Sequence, residues 1–102
     1  MAEFVTVAAV HSLEGKELAA FAVKGSQIAV ANVAGSFYAF SDTCTHLQCS
    51  LTEGELEGTT VTCSCHGSQF DVTTGAVLRG PARDPERSYA TRVENGVLQV
   101  EV

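Results

Sequence analysis

Basic residues are scarce in this chain. Six lysines and arginines stand against twelve acidic side chains, leaving a formal net charge of −6. That balance repels phosphate backbones and anionic lipid, so no nucleic-acid partner is expected. Long apolar runs are missing too. The longest uncharged stretch, Gly25 to Ser41, is interrupted by Asn32 and Gly35, and it falls short of the roughly 20 apolar residues that a spanning helix needs. No membrane segment is expected. The opening Met1-Ala2-Glu3-Phe4-Val5 has neither the basic start, the apolar run nor the small-residue cleavage site of a secretory leader. The expectation is therefore a soluble, cytoplasmic protein. Internal repeats, linkers and low-complexity segments are absent, and 102 residues suit one domain, 1–102.

A sustained period of 3.6 is also lacking, which argues against a helical fold. What recurs instead is short apolar alternation between turn signals, the pattern of an all-β chain. The spacing predicts strands over Phe4 to Val7, Leu18 to Val23, Gln27 to Val33 and Phe37 to Phe40, with Ala34-Gly35-Ser36 turning the last pair into a hairpin. Further strands are expected over Thr59 to Thr62, Phe70 to Val72, Ala76 to Leu78, Ser88 to Val93 and Val97 to Val102. Thr73-Thr74-Gly75 and Asn95-Gly96 supply turns among them, and a helical turn is expected near His11 to Leu13. Both prolines, Pro81 and Pro85, fall in the polar stretch Arg79 to Arg87, which reads as a loop because proline removes ladder donors. One antiparallel sandwich or barrel is the simplest assembly. The hydrophobic fraction of 45% supplies a core. A domain this small buries only about two thirds of its unfolded surface, so a metal or a cross-link would add useful stability.

All four cysteines and two of the three histidines are crowded into Cys44-x-His46-x-x-Cys49 and Cys63-x-Cys65-His66. Thiolates and imidazoles together select zinc, copper or iron–sulfur centres and reject magnesium and calcium, which want oxygen ligands. A lone cysteine or histidine would read as a small core residue or a loop residue. Six in two short segments read as a transition-metal site.

The segments Cys44-Thr45-His46-Leu47-Gln48-Cys49 and Cys63-Ser64-Cys65-His66-Gly67-Ser68 closely resemble the paired motifs of the Rieske protein family, C-x-H followed after a spacer by C-x-x-H. The resemblance extends over nearly the whole chain. It implies a Rieske-like antiparallel sandwich or barrel bearing a small cluster-binding subdomain, about residues 41–82, built of two loops. It also implies one [2Fe-2S] cluster, with Cys44 and Cys63 ligating one iron and His46 and His66 the other. Two thiolates cancel the charge of the oxidised two-iron, two-sulfide core where four would leave it negative. An electron is then added more readily, which places such centres between about −150 and +300 mV, against about −400 mV for plant-type ferredoxins. Because each ligating imidazole keeps a second ring N–H, the potential is expected to be flat at low pH. At high pH it should fall by up to about 59 mV per unit.

The resemblance further implies a Cys49–Cys65 disulfide between the loops, a pair characteristic of quinol-oxidising members. Two free thiols are the alternative reading. Gly67 and Ser68 follow the second motif, and Ser68 matches a serine that donates to a bridging sulfide. Phe70 stands where high-potential members often have tyrosine, and Pro81 matches a loop that covers the cluster. Asp42, Glu53, Glu55 and Glu57 could form an acidic rim that steers a basic partner, or a plain solvated loop. His11 reads as a surface residue. The implied function is a monomeric electron carrier, not an enzyme, serving a flavoprotein reductase and a terminal oxygenase through the His46/His66 tip. A higher-potential carrier or small subunit of a respiratory complex is the alternative, and a zinc-stabilised binding module is the remote one.

Overall fold

A computed structural model describes residues 3–43, 49–65, 67–80 and 86–101. Cys44, His46, His66 and Pro81 lie outside the described residues. The chain runs through β1 (Phe4–Ala9), a 3-10 turn (Val10–Leu13), β2 (Leu18–Val23), β3 (Ser26–Val33), β4 (Ser36–Ser41) and a second 3-10 turn (Leu51–Glu53). It continues through β5 (Glu55–Glu57), β6 (Thr60–Thr62), β7 (Gln69–Asp71), β8 (Val77–Arg79), β9 (Ser88–Tyr89), β10 (Thr91–Glu94) and β11 (Val97–Glu101). There is no α-helix among the described residues, and none is long and apolar enough to cross a membrane. The fold is all-β, as the alternation predicts.

The described residues form three antiparallel sheets, in the orders β1-β11-β10, β2-β3-β4-β9 and β5-β6-β7-β8. Strand β3 explains how they stack. Its centre, Ile28-Ala29-Val30-Ala31, is buried throughout, because both of its faces are covered. Successive side chains point to opposite faces. Ile28 and Val30 join Leu13, Val23, Ala39, Leu98 and Val100 on one side. Ala29 and Ala31 join Phe40, Leu51, Val61, Cys63, Phe70 and Val72 on the other. Across the β3–β4 ladder, Ala29 lies opposite Phe40 and Val30 opposite Ala39, so each core receives one small and one larger residue at that level. Close packing tolerates little else.

The Asn95-Gly96 turn takes positive φ at both central residues, 54° and 75°, the backbone that a two-residue type I′ hairpin requires and that these residue types favour. One predicted strand is corrected. Ser88 to Val93 is broken at Ala90: Tyr89 pairs with Ala39 on β4, while Thr91 to Glu94 pair with β11. The chain changes sheet there, and the Thr91 hydroxyl anchors the crossing by donating to the Phe37 carbonyl at 2.9 Å. The third sheet is larger than expected, since Glu55–Glu57 adds a strand that the sequence pattern does not reveal.

Candidate metal centre

Both motif segments are tied at their described ends. The first leaves β4 at Ser41 and is closed by a Thr43–Ser50 bridge and by the Leu51 N–H donating to the Asp42 carbonyl at 2.6 Å. The Asp42 side chain reinforces the closure. Its Oδ2 accepts from the Ser50 hydroxyl at 2.7 Å and its Oδ1 from the Thr52 N–H at 2.9 Å. Asp42 is thus only 6% exposed, which removes it from the anticipated acidic rim. A carboxylate so placed satisfies one half-buried hydroxyl and one half-buried N–H. Glu53, Glu55 and Glu57 are exposed, the last two on β5, an edge strand. Arg79 is exposed at the end of β8, on the opposite edge of the same sheet.

The second loop joins β6 to β7, and its neck is Cys63–Ser68. The Cys63 N–H donates to the Ser68 carbonyl at 2.8 Å, and the Cys63 carbonyl accepts from the Gly67 N–H at 3.1 Å. Cys63 is 3% exposed and packs into the same core as Phe70 and Val61. Ser64 and Cys65 form the exposed apex of the turn.

Cys49 and Cys65 are joined by a disulfide, which links the last residue of the first motif to the apex of the second. The Cys63 sulfur lies within 4.8 Å of both. This trio is not a metal site, because two of its three sulfurs have spent their ligating capacity on each other. The donor set does fit a [2Fe-2S] cluster with two thiolate and two imidazole ligands. Of four cysteines, the disulfide leaves Cys44 and Cys63, and Cys63 presents a sulfur with no covalent partner at the base of a tied loop. Ser68 and Phe70 are fully buried beside it, at 0% and 1% exposure, and Gly67 is half-buried. His11 is exposed, as expected.

Glu86, just before β9, is tethered by a feature that the sequence reading passed over. The Glu86 N–H donates to the Gly75 carbonyl at 2.7 Å. Gly75 has φ +83°, and a Cβ there would sit 2.0 Å from the Glu86 carbonyl oxygen. Only glycine allows this approach. Asp42, Ser50 and Thr52 were likewise missed as a unit. Their signal is a carboxylate before the first motif with two hydroxyl residues just after it.

A family model of the Rieske [2Fe-2S] domain matches residues 3–94. The 3-phenylpropionate/cinnamic acid dioxygenase ferredoxin subunit of Escherichia coli is 42% identical over 76 residues, 74% of this chain and 72% of that one. The ferredoxin of carbazole 1,9a-dioxygenase from Nocardioides aromaticivorans superposes with a TM-score of 0.90 at 31% identity, covering 95% of each chain. A chain in the complex of reduced oxygenase and oxidized ferredoxin of carbazole 1,9a-dioxygenase superposes at 0.87 with 33% identity, covering 94% of this chain and 99% of that one. With the paired loops and the buried Cys63 thiol, these likenesses establish that the chain belongs to the Rieske [2Fe-2S] domain family.

Proposed function

We propose that this chain is a soluble one-electron carrier that takes electrons from a flavin-dependent NAD(P)H reductase and delivers them to a terminal, aromatic-ring-hydroxylating oxygenase. It is an electron-transfer protein rather than a catalyst, and its cofactor is one [2Fe-2S] cluster. The observation that carries the reading is the pair of tied loops, stapled together by Cys49–Cys65, with the free Cys63 thiol set between them on the core. The three relatives described above are ferredoxin parts of dioxygenase systems, one of them in complex with its oxygenase.

In this reading Cys44 and Cys63 hold one iron through sulfur and His46 and His66 hold the other through imidazole nitrogen. The cluster supplies a one-electron couple in the range of about −150 to +300 mV. The chain's own residues hold its surroundings still. Asp42 and the Thr43–Ser50 bridge tie the first loop, and the Cys63 and Ser68 backbones tie the second. Phe70 fills the space behind Cys63, Ser68 supplies a hydroxyl donor from the second loop, Gly67 at φ 76° lets that loop turn back, and Pro81 stiffens a covering loop. Partners dock at the His46/His66 tip, which lets a monomer present one surface to each in turn. The unit is a single domain, 1–102, with the cluster-binding subdomain at about 41–82, working in the cytoplasm.

The disulfide favours a second reading, a higher-potential carrier or a small subunit of a respiratory complex. Film voltammetry of the cluster-loaded protein from acid to alkaline pH separates the two. A midpoint near about −150 mV, falling at alkaline pH, supports the oxygenase ferredoxin, and one well above about 0 mV supports the second. A metal-loaded sample with no redox wave would contain zinc and would overturn both.

A further inference from the structure

Among the described residues three sulfurs meet where the two loops meet, and two of them are bonded to each other. The Sγ atoms of Cys49, Cys63 and Cys65 lie within 4.8 Å of one another. Cys49–Cys65 is a disulfide and Cys63 a thiol. A thiol beside a disulfide is the reactant pair of thiol–disulfide exchange, in which one sulfur attacks the bond and expels the other. A Cys63 sulfur committed to iron is withheld from this reaction. In the cluster-free chain it is 3% exposed, so its ionisation carries the same cost in either attack, and its sulfur already lies within reach of both partners.

The two possible attacks are not equivalent. Cys63 and Cys65 flank Ser64 in one turn, so attack at Cys65 would close a strained ring across a single residue and expel the half-buried Cys49. Attack at Cys49 keeps a cross-link between the two loops. It expels Cys65, whose exposed position lets water solvate the departing sulfur, whereas burying that charge would be costly. The backbone agrees. Both peptide groups of Cys63 are hydrogen-bonded at the neck, and Cys65 sits on the exposed apex, where it can swing away without breaking a strand pairing.

We infer that the cluster-free chain isomerises its disulfide from Cys49–Cys65 to Cys49–Cys63. The Cys63 thiol loses its proton to water, and its sulfur bonds to that of Cys49. The Cys49–Cys65 bond breaks with its electron pair passing to the Cys65 sulfur, which takes up a proton from water. One S–S bond forms and one breaks, with no oxidant or reductant consumed. Metal loading and isomerisation thus compete for one sulfur, and the isomerised chain regains a free Cys63 only when the exchange runs backward or a thiol reductant opens the new bond. The exchange itself follows from the positions of the three sulfurs; that iron blocks it rests on the proposed ligation by Cys63.

The test is disulfide mapping. Cluster-loaded protein at micromolar concentration is stripped under argon with an iron chelator, freed of iron and sulfide by gel filtration, incubated without thiols, quenched in acid and alkylated with N-ethylmaleimide. Cleavage after Glu53, Glu55 and Glu57 separates Cys49 from the Cys63–Cys65 segment, and fragment ions locate each modification. Before stripping, Cys49 should be linked to Cys65. Afterwards more than half of the chains should carry Cys49–Cys63 with Cys65 alkylated and Cys44 alkylated as well. Retention of Cys49–Cys65 with Cys63 alkylated would overturn the inference. So would comparable entry of Cys44 into disulfides, since that marks random reshuffling of an unfolded chain. A Cys63→Ser chain, produced without metal and treated identically, should keep Cys49–Cys65 intact. Release of Cys65 in that variant would also overturn it.

Discussion

The neck of the first loop rests on one buried carboxylate, and its removal should be felt as a loss of stability. Asp42 accepts the Ser50 hydroxyl at 2.7 Å and the Thr52 N–H at 2.9 Å. Hydrogen bonds to a charged group contribute about 1.5–3 kcal/mol each. Ser50 and Thr52 are half-buried, so water recovers part of the loss, and the Ser50 hydroxyl keeps Thr52 Oγ1 at 2.8 Å. Asp42→Ala should therefore cost about 2–3 kcal/mol. Asp42→Asn keeps one oxygen for the Thr52 N–H and offers an N–H to Ser50 Oγ, so it should lose only the charge assistance, about 1 kcal/mol. A domain of this size shifts its melting point by about 4–8 °C per kcal/mol. The alanine variant should melt about 10–20 °C lower and the asparagine variant less than half as far. Thermal scans at one rate, followed together by far-UV circular dichroism and by the visible absorption of the cluster, measure both. An alanine variant within about 2 °C of wild type would refute the staple, and an asparagine variant as damaged as alanine would refute the two-bond accounting.

Replacing both Cys49 and Cys65 by alanine removes a cross-link across a sequence separation of 16, worth about 3 kcal/mol in the cluster-free chain. The cluster-loaded form should lose clearly less, because its loops are already tethered. Urea unfolding of both forms checks this, and equal losses would contradict it. Gly75→Ala should cost at least about 2 kcal/mol, since a Cβ would collide with the Glu86 carbonyl at a φ of +83°, and an unchanged melting curve would count against the tether. Ser68→Ala should lower the midpoint potential, because a lost donor destabilises the more negative reduced cluster. Film voltammetry showing the wild-type potential would remove Ser68 from the cluster's surroundings.

Much of this architecture is legible in the sequence, and the exceptions have physical causes. Strands β2, β3 and β4 are long enough for their apolar pattern to show. Strand β5 is not: Glu55-Leu56-Glu57 offers one half-buried residue between two glutamates, a type disfavoured in strands. It forms because β6 lies alongside, with Glu55 opposite Thr62 and Glu57 opposite Thr60. The break at Ala90 is invisible for a similar reason, since alternation reports which face is buried and not which sheet a residue joins. At the site, the cysteines and histidines announce themselves by type and spacing. Asp42 hides, because an acidic residue near three others reads as solvated surface, and only the folded neck turns its side chain toward Ser50 and Thr52.

Strand β3 accounts for how so short a chain supports a metal centre on loops. Loops lack ladders of their own and take their order from what lies beneath them. Here the layer beneath is Ala29, Ala31 and Phe40, carried on strands whose opposite faces are pinned by Ile28, Val30 and Ala39 in the second core. Displacement of Cys63 or Leu51 would have to disturb residues buried from both sides. The alanines are part of the device, since their short side chains leave room for Phe40 and Phe70 to reach between the layers and back the Cys63 neck. Close packing of that kind resists small displacements. A carrier that must accept and release an electron without rearranging its ligands is served by such a platform, and the two tied necks extend its stiffness from the core to the loops.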